Sequence, residues 1–286
     1  MNWITRAISK VFPKKKASFE IPENSWIKCK SCSTMLYYND LDKEEVQFCC
    51  TNCDTHLLIE PQVRFKYLLD HGYEIIEYEA KLHDPLSFKS VKSYKELYEE
   101  ARIKTNLPDT FLIANGKING VSAIVCAQSF SFLGGSIGAN SAEAFIKSCE
   151  HAVANRSPLV CFISSGGARL QENQFSLQAL PKMTVGVSML RDAKLPFIVV
   201  NTWPSTGGVQ ASIGSLGTIT LAEPGSLIGF AGRRVITQNT PEIDFPPDFQ
   251  LAEGLLKNGM IDMIVHRREM KYKISQIISL LMKKVA

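Results

Sequence analysis

The chain lacks a membrane span. Among its 286 residues, two long stretches carry no charge, Ile118 to Ala142 and Leu195 to Ala222. Both are rich in Gly, Ser, Thr, Asn and Gln, a density of polar groups that hydrocarbon does not accept, so they read as buried parts of a globular core. A dominant charge is also missing. The 32 Lys and Arg against 28 Asp and Glu leave a net +4, which does not by itself require a nucleic-acid partner. Neither Gly-x4-Gly-Lys-Ser/Thr nor Gly-x-Gly-x-x-Gly follows a strand in the right context, which disfavours a nucleotide-binding enzyme. Gly-x-Ser-x-Gly is absent, and the histidines at 56, 71, 83, 151 and 266 show no spacing for a triad or a catalytic metal. His151 reads as a helix-face residue and the others as solvated or packing side chains. No repeat of solenoid length is present. Arg6 and Lys10 interrupt any apolar run of a secretory signal. The absence of acid before Glu20 leaves a transit peptide or a short docking helix open.

What is present is ordinary globular composition, 45% apolar and 21% charged, which excludes wholesale disorder. The length allows two domains, or one large domain with a module. Residues 1–25 form a basic arm around Lys14-Lys15-Lys16 and Pro22. Residues 26–60 hold five of the eight cysteines. Residues 61–108 form a charged connector with helices predicted near 61–70 and 93–105, where Ser93 and Glu96 resemble a capping box. From 109 to the C-terminus the texture is that of an α/β core. Phe111–Ala114 and Val121–Val125 flank a glycine-bearing turn and predict a hairpin. Leu159–Ile163 and Pro196–Val200 are short buried-strand runs, each followed by a glycine pair and then, by pattern, a helix. Strand, glycine pair and helix in repetition predict parallel strands. A helical apolar pattern returns over 267–284.

Cys29-x2-Cys32 and Cys50-x2-Cys53 lie 17 residues apart, the spacing of a zinc site. Two residues between cysteines let a tight knuckle aim both sulfurs at one ion, and two knuckles complete a tetrahedron of thiolates. Such a site has no open position, so its zinc is expected to be structural, one per chain. Cys49 is a spare that competes with Cys50 only through a looser knuckle, and His56 is a less favoured ligand. Cys126, Cys149 and Cys161 lie in apolar surroundings. Cys126 and Cys161 fall on strands and read as small hydrophobes rather than nucleophiles. Cysteines clustered this way fit a reducing compartment better than a secreted disulfide scaffold.

The glycine pairs Gly166-Gly167 and Gly207-Gly208 each end a buried strand. Glycine permits a tight strand-to-helix turn, and it also lets a substrate approach the backbone closely. Two such bends side by side can aim two N–H donors at one oxygen, which suits a reaction that makes an enolate. Each donor is worth about 3–4 kcal/mol in the transition state.

Taken in order, these motifs resemble one family. They are Trp26-x2-Cys29-x2-Cys32, Cys50-x2-Cys53-Asp54-x-His56, Gly134-Gly135-Ser136-Ile137-Gly138, and Ser165-Gly166-Gly167-Ala168-Arg169-Leu170-Gln171-Glu172. There follow Thr206-Gly207-Gly208-Val209, Ala222-Glu223-Pro224, Ile228 through Ile236 with Arg233-Arg234, Phe249-Gln250-x2-Glu253 and Ile261-Asp262. The chain resembles, over nearly its whole length, the carboxyltransferase beta subunits of bacterial and plastid multi-subunit acetyl-coenzyme A carboxylase.

The resemblance implies a crotonase-like ββα superhelix over residues 109–286 behind an N-terminal four-cysteine zinc ribbon. It implies transfer of a carboxyl group from carboxybiotin to acetyl-coenzyme A, giving malonyl-coenzyme A for fatty acid synthesis. The partner it implies is a carboxyltransferase alpha subunit in an α2β2 assembly. No Ala-Met-Lys-Met biotinylation motif is present, so the biotin carboxyl carrier protein, and with it biotin carboxylase, are expected to be separate chains. The location it implies is the cytoplasm, or the plastid stroma if organellar. By analogy with crotonases, the amides near Gly166-Gly167 and Gly207-Gly208 stabilise the enolate, and Arg233 and Arg234 pair with coenzyme A phosphates. The chain departs from the family pattern at Trp203, Thr218, Gln210 and Ala142. Two other readings compete. One is a zinc-ribbon nucleic-acid binder using Lys14–Lys16, Lys28 and Lys30, weakened by the acidic residues Asp40, Asp42, Glu44 and Glu45. The other is a crotonase-type hydratase or isomerase, weakened by the lack of paired catalytic carboxylates.

Overall fold

The structure is a computed structural model that describes residues 25–240 and 243–283. The basic arm up to Asn24 lies outside the described residues. The described chain opens with two short antiparallel strands, β1 (Trp26–Lys28) and β2 (Met35–Tyr37), paired with Ile27 opposite Leu36. Helix α1 (Tyr38–Leu41) follows, then α2 (Pro61–Leu68). Pro61 sits in the first turn of α2, where its missing N–H has no helical acceptor to lose. After β3 (Glu74–Ile75) comes α3 (Tyr94–Thr105). Its capping box forms as the sequence predicts. Ser93 Oγ accepts from the Glu96 N–H at 3.3 Å, and Glu96 Oε2 accepts from the Ser93 N–H at 2.8 Å.

Strands β4 (Phe111–Ile118) and β5 (Val121–Gln128) make the predicted hairpin. Asn119 and Gly120 supply the two positive φ angles, 48° and 79°, that a two-residue turn of matching twist requires. Then α4 (Ala139–Ala154), β6 (Leu159–Ser165), α5 (Gln174–Asp192) and β7 (Phe197–Thr206) alternate. The chain continues through β8 (Ile219–Ala222), β9 (Ile228–Gly229), α6 (Arg233–Asn239), α7 (Ala252–Lys257), β10 (Met263–Ile264) and α8 (Arg267–Leu281). No helix among the described residues is long and apolar enough to cross a membrane.

The main sheet runs in the order β10-β8-β7-β6-β5-β4-β3, with β9 paired to the far end of β7. Strands β5, β6, β7, β8 and β10 are parallel, and β3 and β4 are antiparallel to their neighbours. Helices cover both faces, so the central strands are apolar on both sides. Successive side chains alternate between the faces. Leu159, Cys161 and Ile163 pack with Phe145, Met183 and Val187 of α4 and α5. Val160 and Phe162 pack on the other face with Phe65 of α2 and with Met270, Ile274 and Ile278 of α8. Each such side chain contributes about 1.5–3 kcal/mol by leaving water. Parallel strands all end at one edge of the sheet, and both glycine pairs stand at that edge.

Candidate active site and metal centre

The sheet brings the two glycine bends together. Strands β6 and β7 are adjacent and parallel, and beyond a bulge that shifts the register after Ile163 they place Ser165 opposite Ser205, so the residues after each strand emerge side by side. A Cβ on Gly167 would lie 3.3 Å from Gly207 Cα and 3.4 Å from Gly208 N. A Cβ on Gly207 would lie 2.9 Å from Gly167 Cα. Both Gly167 (φ +116°) and Gly207 (φ +70°) also hold backbone conformations that side chains disfavour.

The glycine amides are not equivalent. The Gly166 N–H donates to Gly134 O at 2.9 Å, and the Gly167 N–H donates to Ser165 Oγ at 3.0 Å. Those two donors are held inside the fold. Among the described residues, the N–H of Gly208 meets no protein acceptor. A groove of about 660 Å³ borders this second bend, lined by Gln210, Ala211, Ile228, Phe230 and Phe249.

Each glycine pair was expected to lead into a helix, and here the structure corrects the pattern. Gly207–Val209 is itself a single tight 3-10 turn, another follows at Ile213–Ser215, and no α-helix begins there. The first pair reaches α5 only after a bridge between Ile137 and Ala168 and a 3-10 turn at Leu170–Glu172. After the second pair the reason is a run of small and polar residues whose hydroxyls bond the nearby backbone instead of propagating a helix. Ser212 Oγ, for example, donates to Gly208 O at 2.8 Å. After the first, the Arg169 N–H donates to Ile137 O and the chain is tied to Gly134–Gly138 before α5 can start.

The first bend is buttressed by residues to which the sequence analysis gave no role. Arg169 is fully buried. Its guanidinium donates to both carboxylate oxygens of Asp109 at 2.8 Å, to Glu172 Oε1 at 2.9 Å and to Ser136 O at 2.8 Å. Burial alone would raise the Asp109 carboxyl, but the Arg169 charge and its hydrogen bonds outweigh it and hold the group below the usual range. Glu172 Oε2 also accepts from the Ala139 N–H at 2.7 Å, closing the N-terminus of α4. The segment Gly134–Gly138 is therefore clamped against Gly166–Arg169. Gly135 is required there, because a Cβ would come within 2.0 Å of Ser164 O.

The four cysteines of the two pairs converge. Cys29 Sγ lies 3.7 Å from Cys53 Sγ, and Cys32 Sγ lies 3.6 Å from Cys50 Sγ; all four sulfurs fall within 4.8 Å of one another. A tetrahedron with zinc–sulfur bonds of about 2.3 Å has edges of about 3.8 Å, so the set fits zinc. The two knuckles repeat one geometry. The Cys29 and Cys50 N–H groups donate to Thr34 O and Thr55 O, and Ser33 (φ 63°) and Asp54 (φ 58°) make the left-handed turn. Cys49 does not compete for this site. It is buried and turned away, toward His266.

The ribbon is anchored through Glu223, at the end of β8. Its carboxylate accepts from Arg64 at 2.9 Å and from Arg267 at 2.9 and 2.7 Å. Arg267 in turn donates to Gln47 O and Phe48 O of the ribbon. Burial would raise the Glu223 carboxyl; the two arginines outweigh this and hold it well below the usual range.

Comparison with known proteins settles the family. Residues 74–285 match the model of the carboxyl transferase domain. The acetyl-coenzyme A carboxylase carboxyl transferase subunit beta of Granulibacter bethesdensis is 42% identical over 281 residues, 98% of this chain and 91% of that protein. The subunit of the same name from Liberibacter asiaticus is 44% identical over 290 residues, covering both chains fully. The chain belongs to the family of acetyl-coenzyme A carboxylase carboxyl transferase beta subunits. The fold also matches solved structures. Transcarboxylase 12S aligns with a TM-score of 0.63 at 22% identity, over 77% of this chain and 41% of that one. A Pseudomonas malonate decarboxylase hetero-dimer aligns with 0.60 at 20% identity, over 78% of this chain and 86% of that one. The fold is the crotonase-like one expected, with a mixed α/β sheet. Neither the nucleic-acid-binding reading nor the hydratase or isomerase reading finds support among these relatives.

The beta-subunit departures noted in the sequence have structural places. The Trp203 ring receives Lys30 Nζ of the ribbon at 5.3 Å from its centroid. Thr218 Oγ1 accepts from the Phe197 N–H at 3.1 Å, and Ala142 is buried in the core. Gln210 turns its side-chain oxygen inward toward Gly214, and nothing in the structure explains the choice. The side chains of Arg233 and Arg234 lie outside the described residues.

Proposed function

We propose that this chain forms the acyl-thioester side of the carboxyl transfer centre of acetyl-coenzyme A carboxylase. The single observation that carries the mechanism is the abutment of the two glycine bends at the sheet edge, with the Gly208 amide left unpaired and an open groove starting at Gln210. The thioester of acetyl-coenzyme A lies in the groove next to Gly207-Gly208, and its carbonyl oxygen accepts from the Gly208 N–H. Gly166 and Gly167, whose own N–H groups are engaged, pack against that bend and fix its direction. As the methyl group loses a proton, charge grows on the thioester oxygen, and a fixed amide stabilises the enolate by about 3–4 kcal/mol. The enolate carbon then bonds to the transferred carboxyl carbon. Carboxybiotin, presented by a separate carrier protein, supplies that carboxyl group and, after its release, the base. We assign the coenzyme A phosphates to Arg233 and Arg234 at the start of α6, because guanidinium binds phosphate bidentately.

The other components follow the family. A structural zinc sits in the Cys29, Cys32, Cys50 and Cys53 site. A carboxyltransferase alpha subunit completes an α2β2 assembly and the biotin side of the centre, and biotin carboxylase and its carrier protein act upstream. We place the assembly in the cytoplasm, or in the stroma if the chain is plastid-borne. We divide the chain into the arm, a ribbon over 26–60, a connector over 61–108 and the transferase domain over 109–286. The reverse reaction tests the proposal. The chain mixed with its alpha partner, malonyl-coenzyme A and biocytin should release acetyl-coenzyme A, with neither protein sufficient alone. No turnover by the assembled pair sinks it.

A further inference from the structure

Beside the four-cysteine site stands a second cluster of metal-ligating side chains. A ligand atom from each of Cys49, His56 and His266 falls within 4.8 Å of the others. Cys49 and His56 face each other across the ribbon through an antiparallel backbone bridge. His266 arrives from the transferase domain, as the residue that opens α8. Its ring meets that of His56 edge to face, with centroids 4.4 Å apart.

Three observations point to a cation here. His56 is buried, its side chain 4% exposed, yet neither ring nitrogen makes a hydrogen bond of good geometry. Its Nδ1 lies 3.2 Å from Glu223 Oε2, which leaves Nε2 as the free ligand nitrogen. A carboxylate behind a histidine is how metal-binding imidazoles are oriented and made more basic. Cys49 Sγ lies 3.9 Å from His266 Nε2. Tetrahedral zinc, with bonds of about 2.3 Å to sulfur and 2.0 Å to nitrogen, places such a pair about 3.5 Å apart, so a small inward movement suffices. Asp54 Oδ2 lies 3.1 Å from the same His266 nitrogen, so that nitrogen faces a negatively charged neighbour.

We propose that Cys49, His56 and His266 form a second zinc site, distinct from the four-cysteine one, that clamps the ribbon to the transferase domain. Zinc on His266 Nε2 moves that ring's proton to Nδ1 and gives up the long 3.3 Å cap bond from the Arg268 N–H. It also separates His266 from Asp54, which keeps its ion pair with Arg268. The site bridges the ribbon and α8, and its two histidines border a cavity of about 720 Å³ that Trp203 and Gly225 also line. A cation there fixes the position of the ribbon over that cavity.

Metal counting tests this. The full chain, assembled with its partner subunit, is equilibrated with excess Zn²⁺, dialysed exhaustively and analysed by mass spectrometry of the metal. Two zinc ions per chain are expected, falling to one in Cys49→Ser and one in His266→Gln. In protein loaded with Co²⁺ instead, one of two thiolate-to-cobalt absorption components should vanish in Cys49→Ser while the four-thiolate component remains. His266 is half-buried at the surface of the cluster, so His266→Gln decides the matter should Cys49→Ser fail to fold. One zinc per wild-type chain, or two retained in His266→Gln, overturns the site.

Discussion

Gly208→Val separates the chemistry of the second bend from its architecture. The three atoms nearest a Cβ at this position all belong to the side chain of Leu180, whose terminal Cδ1 would lie at 2.7 Å, the far end of a flexible group. The fold therefore has a way to accommodate the change. A substrate oxygen does not, because the added methyls stand beside the amide it must reach. Loss of one oxyanion donor costs about 2.7–4 kcal/mol, or roughly 10²–10³-fold in kcat. Gly207→Ala provides the contrast. Its Cβ would lie 2.9 Å from Gly167 Cα and 3.2 Å from Gly166 O, both backbone, and its φ is +70°. Nothing there can yield cheaply, so Gly207→Ala should lose thermal stability as well as activity. The assay is acetyl-coenzyme A release from malonyl-coenzyme A and biocytin by the assembled enzyme, with thermal unfolding and zinc content measured in parallel. For Gly208→Val the expected result is the fall in kcat with Tm and zinc nearly unchanged. A variant that folds normally and turns over within tenfold of wild type removes this amide from the mechanism.

Cys29→Ser and Cys53→Ser should each lose about one zinc per chain in metal analysis; equal zinc in both variants and wild type refutes the four-thiolate site. Asp109→Asn removes one of the two carboxylates that hold the buried Arg169, leaving Glu172, and should destabilise the chain by about 1.5–3 kcal/mol at pH 7 in urea unfolding. Asp109 is held below its ordinary value of 3.8, so the unfolded chain binds its proton more readily, and the stabilisation is complete above that value and lost as pH falls through the lower, folded one. The gap between wild type and Asp109→Asn should accordingly narrow below about pH 4; a gap constant from pH 7 to 3 argues against a charged pair. Ser93→Ala removes one half of the capping box and should cost about 1 kcal/mol by the same unfolding measurement, with activity retained. An unchanged midpoint there means the cap contributes nothing to global stability.

The local features were open to a reader of the sequence, because each depends on residues close together in the chain. The capping box spans four residues, the hairpin turn two, and each knuckle four, so their chemistry is written in their spacing. The alternation of Leu159–Ile163 between two apolar faces likewise follows from strand period alone. The positions of the two glycine pairs could be read, and their adjacency followed from the parallel strands the pattern implied. What came after them could not, since neither Ala168–Asn173 nor the small, polar run Val209–Ser215 distinguishes a helix from a 3-10 turn until packing decides.

Other features exist only because the chain folds back on itself. Asp109 meets Arg169 across 60 residues, Arg64 meets Glu223 across 159, and Cys49 meets His266 across 217. No spacing rule reaches that far. Which of the glycine amides remains available was settled the same way, by Gly134 O arriving to take the Gly166 N–H. Strands, knuckles, bends and family are all written in the order of the residues. Which charges are buried in pairs, which donor stays free and which spare cysteine finds two histidines follow from the folded arrangement, because those outcomes depend on desolvation and distance between segments remote along the chain.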